Sequence, residues 1–180
     1  VYYFLVPDNV LQGGEMEESA QVSVLKSEGK YLTFRLLDEF YGIRVDAILQ
    51  IIAIPQITPI PRTPPFVKGV INLRGKIIPV VDLRLRFGLE PTEYDARTSI
   101  IILRTTVNEA EVFIGIIVDT VIEVIDIVAS QIEEKPRFGI RVDTEYIMGM
   151  AKVKDKVVTL LDIENVLTRE ELVTLQQDTE

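Results

Sequence analysis

The chain repeats itself once, and that repeat constrains its fold more than any other feature. The run Tyr41-Gly42-Ile43-Arg44-Val45-Asp46-Ala47-Ile48 returns as Ile114-Gly115-Ile116-Ile117-Val118-Asp119-Thr120-Val121. Downstream, Gly69-Val70-Ile71-Asn72-Leu73-Arg74-Gly75-Lys76-Ile77-Ile78-Pro79-Val80-Val81-Asp82-Leu83 is echoed by Gly149-Met150-Ala151-Lys152-Val153-Lys154-Asp155-Lys156-Val157-Val158-Thr159-Leu160-Leu161-Asp162-Ile163. Glycine, lysine, a β-branched pair and aspartate hold the same places in both copies. Two copies of about 70 residues are too few for a solenoid, which needs three or more. They predict two related β-subdomains packed on each other.

The bulk composition removes whole classes of function. The chain has 180 residues, 47% of them hydrophobic, which suits one domain or two small subdomains around a shared core. It has no cysteine and no histidine. Disulfides, cysteine-based zinc sites, Ser-His-Asp and Cys-His arrangements and the usual haem ligands are excluded, so neither a metal nor another cofactor is expected. The net charge of −9 is opposite to that of a nucleic-acid-binding surface. Asp, Arg or Pro interrupts every apolar run before it reaches the length of a membrane span. Val1–Val6 is apolar but short, lacks a basic flank and ends at Pro7, a poor signal peptide. The expected location is the cytoplasm. Gln12-Gly13-Gly14-Glu15-Met16 could be the translation of a purine-rich ribosome-binding sequence before a start codon. Met16 is therefore expected to be the natural start, with residues 1–15 as translated leader; the alternative is a mobile arm or a strand.

From Lys30 the pattern is that of strands. Tyr31–Leu37 precedes a turn at Asp38-Glu39, and Tyr41–Ile54 reads as two strands broken near Asp46-Ala47. Pro55, Pro59, Pro61, Pro64 and Pro65 make an extended connector. Gly69–Leu73 with Lys76–Val81, Ser99–Thr106 with Val112–Val118, and Gly149–Val153 with Lys156–Leu161 read as hairpins, and Val121–Val128 as a further strand. Leu83–Phe87 is expected to form one helical turn. Asp162 caps a short helix over Ile163–Leu167, and Thr168 with Glu171 forms a capping box for another. Roughly ten short strands and few helices argue for barrels or a sandwich. The repeat favours two small barrels, whose closure would also hide the edges of these Ile/Val-rich strands.

Asp46, Asp82, Asp119 and Asp162 each end a hydrophobic strand, where turn formation and capping account for them better than a catalytic dyad. Asn72-Leu73-Arg74-Gly75 is no phosphate-binding loop, because no Lys-Ser/Thr follows the glycine. It reads as a hairpin turn with Arg74 projected outward, either as a solvated turn residue or as a guanidinium presented to an acidic partner. The excess of aliphatic residues at Ile48, Leu49, Ile51, Ile52, Ile114, Ile116, Ile117 and Val118 leaves two readings, strands buried twice between the barrels and apolar docking surfaces.

These motifs together resemble the CheW-like adaptor domain of bacterial chemotaxis. Thr58-Pro59-Ile60-Pro61, and then Pro65 through Arg84, are similar to that family's signature. Gly115–Asp119, Thr144–Met150 and Leu160–Glu164 are similar to its later blocks. The resemblance covers about Lys30 to Leu172, giving a domain over 30–172 between an arm or leader at 1–29 and a tail at 173–180. It implies a mainly β fold of two SH3-like five-stranded β-barrels around a shared core, with short C-terminal helices. It implies a non-catalytic, cofactor-free scaffold of the free-standing kind. Such a scaffold joins the regulatory domain of the histidine kinase CheA to the cytoplasmic tip of chemoreceptors and is recruited to membrane arrays through these partners; the charge of −9 leads one to expect a monomer when it is alone. The alternatives are an isolated C-terminal regulatory domain of CheA, or an enzyme using carboxylates. Receptor-contact positions implied by the resemblance are Ile48, Gly69, Arg74, Val121 and Val124, and kinase-contact positions are unassigned. Family members often carry a glutamate where this chain has Gln50, so no ionic contact is expected there.

Overall fold

Alternating apolar residues and short turns give eleven strands in the computed structural model, which describes residues 27–107, 109–133, 146–168 and 171. In chain order they are β1 (Gly29–Leu36), β2 (Glu39–Arg44), β3 (Ile48–Ala53), β4 (Val67–Leu73), β5 (Lys76–Asp82) and β6 (Ser99–Val107). Then follow β7 (Ala110–Val118), β8 (Thr120–Ile127), β9 (Ile132–Glu133), β10 (Ile147–Val153) and β11 (Lys156–Leu161). One-turn helices α1 (Leu83–Arg86) and α2 (Ile163–Val166) follow β5 and β11. Each is capped by the aspartate that ends the strand: Asp82 accepts from the amides of Arg84 and Leu85, and Asp162 from that of Glu164. Thr168 and Glu171 make the reciprocal bonds of a capping box, at 2.8 and 3.2 Å. Residues 1–15 and the loop expected at Pro136–Gly139 lie outside the described residues.

The strands form two sheets, ordered β8-β1-β2-β11-β10-β9 and β3-β6-β7-β5-β4. The repeat explains this order. Aligning Gly42 with Gly115 and Gly69 with Gly149 makes β1 to β5 the counterparts of β6, β7, β8, β10 and β11. Each repeat keeps its first two strands together and gives the remainder to the other sheet. Thus β3 pairs with β6 and β8 with β1; β5 runs parallel to β7, and β11 parallel to β2. The exchange holds in detail. Val80 lies opposite Gly115, and Leu160 opposite Gly42. Lys76 sits over Phe113 at 4.3 Å, and Lys156 over Phe40 at 4.4 Å.

The expected barrels do not form. Neither sheet closes: β3 and β4 stand at opposite ends of the five-stranded order, and β8 and β9 at opposite ends of the six-stranded one. The connector after β3 shows why. Its prolines supply no N–H groups, and its pairing with β4 is an isolated bridge in which Thr58 exchanges two bonds of 2.8 and 2.9 Å with Val70. In the other sheet the chain between β8 and β9 is taken up by a 3₁₀ turn, Ala129–Gln131. The open edges are blunted in other ways. β3 carries a bulge between Ile48 and Gln50; β1 and β8 are interrupted at Thr33/Phe34, opposite Ile122. β9 is two residues long, and β8 carries Glu123 and Asp126.

The shared core is present, between the sheets. Leu32, Phe34, Leu36 and Ile43 from one sheet meet Val81, Ile101, Leu103, Ile114 and Ile116 from the other. Smaller clusters cover the outer faces, around Tyr31, Ala151 and Leu160 on one sheet and Ile71, Ile100 and Ile117 on the other. A row of rings, Phe34–Tyr41–Phe87–Tyr146, runs through the shared core with centroids 5.7 to 5.9 Å apart. Arg86 is held within 4.6 Å of the Phe66 ring and 5.1 Å of the Tyr146 ring, and donates to the Val166 carbonyl at 2.7 Å. It ties the end of the described chain to the core.

Candidate functional site

Both repeats present the same apolar stripe on an edge strand. In β3 the side chains alternate, so Ile48, Gln50 and Ile52 are half-buried while Leu49 and Ile51 are exposed. In β8, Val121 and Ile125 are half-buried while Ile122 and Val124 are exposed. By the repeat, Ile48 corresponds to Val121, Leu49 to Ile122 and Ile51 to Val124. Ile48 and Val121 both pack against the shared core. Of the five positions that the resemblance singles out, these two sit at equivalent places with their side chains turned inward. Val124 faces solvent with Ile122. Leu49 and Ile51, already named in the aliphatic excess, are exposed, and so is Ile122, which the sequence reading did not single out; alternation along the strand was the signal that could have found it.

Gly69 and Arg74 lie on the opposite edge of the five-stranded sheet from Ile48. Arg74 is exposed at the β4–β5 turn, with φ 52° at Arg74 and 83° at Gly75. Positive φ at both central residues is the two-residue turn that matches strand twist, and the Gly75 amide donates to Asn72 Oδ1 at 2.8 Å. The guanidinium is thereby presented on a stiff hairpin end. Gly69 is buried. Its φ is +136°, and a Cβ there would lie 2.0 Å from the Thr58 carbonyl oxygen. The glycine is required because the connector crosses β4 at that point. Gly149 stands under β9 in the same way, with a Cβ 3.1 Å from the Glu133 carbonyl.

The four strand-ending aspartates have structural duties. Asp82, buried, accepts from the Tyr94 hydroxyl at 2.7 Å besides capping α1. Burial and that carboxylate push the Tyr94 hydroxyl well above its ordinary pKa. Asp119 marks the crossing from β7 in one sheet to β8 in the other. It accepts from Arg84 Nε at 2.7 Å, from Arg84 Nη2, and from the Leu37 amide at 2.8 Å. The Asp119 bond raises the Arg84 pKa above its already high value. Asp46 lies at the equivalent crossing from β2 to β3 and is held by Arg44, the last residue of β2, at 2.9 Å. That hydrogen bond lowers the Asp46 pKa below the usual carboxylate range. Arg84 and Arg86 were not singled out from sequence; their roles depend on contacts with residues 35 and 80 positions away. Among the described residues no group of acidic side chains is placed to hold a metal ion, and no helix is long and apolar enough to cross a membrane.

Comparison with known proteins agrees with this architecture. Residues 30–171 match the family model described as CheW-like domain. The chemotaxis protein CheW of Klebsiella aerogenes is 38% identical over 156 residues, spanning 85% of this chain and 92% of that protein. The CheW of Thermotoga maritima is 34% identical over 143 residues, covering 78% of this chain and 88% of the relative. The crystal structure of the scaffolding protein TtCheW from Thermoanaerobacter tengcongensis superposes with a TM-score of 0.67 at 38% identity, covering 76% of this chain and 90% of that one. With the family model matched over most of its length and a relative this similar along nearly its whole sequence, the chain belongs to the CheW-like domain family.

Proposed function

We propose that this protein is a chemotaxis adaptor that couples chemoreceptors to the histidine kinase CheA as a non-catalytic scaffold. Its place of work is the cytoplasmic side of receptor arrays, reached through its partners. The observation that carries this reading is the family match over residues 30–171. The geometry supports it with two equivalent apolar stripes, Leu49/Ile51 and Ile122/Val124, and one stiff cationic hairpin end at Arg74. An adaptor needs surface that stays folded while offering apolar area, each Å² of which contributes roughly 25 cal/mol when covered. The finer assignment is that the receptor tip is contacted through Arg74 and the β3 and β8 edges, where Ile48 and Val121 set the stripes and Val124 stands in one of them. Gly69 acts by letting the connector cross β4. The kinase contact is made to the CheA regulatory domain.

The test is a pull-down of the purified protein with that regulatory domain and with a receptor tip, read alongside receptor-stimulated kinase activity. Both partners should be retained. Arg74→Ala should weaken receptor coupling and leave the thermal midpoint unchanged, since an exposed turn side chain carries little packing energy. Retention of neither partner would overturn the function. A large fall in midpoint with coupling intact would overturn the role of Arg74.

A further inference from the structure

At Asp119 the chain changes sheets with no loop to spare, since this is the single residue between β7 and β8. Arg84, carried by α1 at the end of β5, grips both of its carboxylate oxygens, Nε on Oδ1 at 2.7 Å and Nη2 on Oδ2. Oδ2 also accepts from the Leu37 amide at 2.8 Å, and the Asp119 amide donates to the Arg35 carbonyl at 3.1 Å. The residue ahead of β8 is thereby fixed to α1, to β1 and to the β1–β2 turn at once. Arg84 is itself held, its amide donating to Asp82 Oδ1 at 2.9 Å and its Nη1 to the Glu90 carbonyl at 3.3 Å.

The strand that leaves this clamp depends on it. β8 is an edge strand paired only with β1, and the pairing is interrupted between Thr33 and Phe34, opposite Ile122. Ahead of the interruption only Thr120 and Val121 have register partners. Exposed Ile122 lies at the interruption and exposed Val124 two residues beyond it. The ladder therefore holds the front of the stripe by two residues, and the crossing supplies the remaining restraint. The equivalent crossing has no such clamp. Asp46 is held by the nearby Arg44, within a 3₁₀ turn, Val45–Ala47, that buries none of its residues. The counterpart of Arg84 under the repeat is Glu164, a carboxylate.

We propose that Arg84 is a positioning residue for the β8 docking edge, holding Val121, Ile122 and Val124 in the arrangement that a receptor tip meets; this rests on the reading of that stripe as a receptor contact. A surface already ordered loses less freedom on binding. A guanidinium fork fixes both oxygens of Asp119 and so the direction in which β8 leaves, whereas an ammonium is a point charge and fixes only a distance.

The test is calorimetric titration of the full chain with a purified chemoreceptor tip, well below the thermal midpoint, together with methyl order parameters from NMR. Val124→Asp should abolish binding. Arg84→Lys should weaken it by about tenfold. The double variant Arg84→Met/Asp119→Asn should stay folded, because no charge is stranded and the Leu37 amide keeps an acceptor, and should lose about as much affinity. Asp46→Asn, at the open crossing, should change affinity by less than about twofold. In both Arg84 variants the order parameters of Val121, Ile122 and Val124 should fall, while those of Ile101 and Leu103 in the core should not. Unchanged affinity in the folded Arg84 variants, with Val124→Asp still disruptive, would overturn the positioning role alone. Order lost equally in the core would reduce Arg84 to a general stabiliser and overturn it too. Full binding by Val124→Asp would overturn the reading of the stripe, and this inference with it.

Discussion

The two places where the chain passes from one sheet to the other share a backbone plan and differ in how they are held. At Asp119 the carboxylate meets a guanidinium from a different element, and both side chains are largely buried, 12% and 18% exposed. At Asp46 the partner is the neighbouring Arg44, and the carboxylate is 65% exposed. The comparison teaches that an internal repeat fixes where the chain crosses but leaves each crossing free to be locked or left open. The glycine crossings differ in the same manner. The connector lies against Gly69 with no room for a side chain, whereas β9 leaves Gly149 nearly enough.

The largest expected difference is between those glycines. Gly69→Ala meets both a forbidden φ and the Thr58 carbonyl, and should cost about 4 kcal/mol or prevent folding. Gly149→Ala requires a shift of a few tenths of an ångström and should cost about 1 kcal/mol. Urea unfolding of both proteins measures this, and equal losses would mean that the connector does not press on β4. Asp119→Ala strands Arg84 and the Leu37 amide and should cost about 3 kcal/mol. Asp46→Ala removes an exposed pair and should cost under about 1 kcal/mol. Equal costs would erase the distinction between a locked and an open crossing.

On the edge strands, Ile48→Asp buries part of an unpaired carboxylate against the core and should cost about 2 kcal/mol. Ile51→Asp should leave stability within about 0.5 kcal/mol while weakening partner binding, because its side chain already faces solvent. Circular dichroism melts separate the two, and a stable Ile48→Asp protein would show that its side chain turns outward. The smallest effect concerns pH. Arg44 lowers the Asp46 pKa, so that pair contributes stability above the ordinary carboxylate pKa of about 4 and loses it as pH falls through the lower folded value. The gap between wild type and Asp46→Asn should therefore narrow on acidification through that window. A gap that persists at pH about 2 would assign it to something other than the carboxylate charge.

Local features were legible because their causes are local. The hairpin at Arg74-Gly75, the break at Asp46-Ala47, the caps at Asp82 and Asp162 and the box at Thr168 and Glu171 each depend on residues within a few positions. Pairing between distant strands was not legible. Composition cannot show that β3 joins β6 rather than its own neighbours, or that five prolines stop a sheet from closing. The same limit applied to the site. The outward projection of Arg74 followed from the turn, whereas the inward turn of Ile48 and the packing demand on Gly69 depend on elements that arrive from elsewhere.

Two equivalent halves in one chain make head-to-tail pairing with a similarly built partner geometrically natural, and a charge of −9 opposes self-association. The most direct test is light scattering of this protein and the CheA regulatory domain, separately and mixed, at micromolar concentration. The account predicts the mass of a single chain alone and assemblies well beyond one-to-one in the mixture. A stable homodimer of this protein alone, or a mixture in which the two never associate, would contradict it.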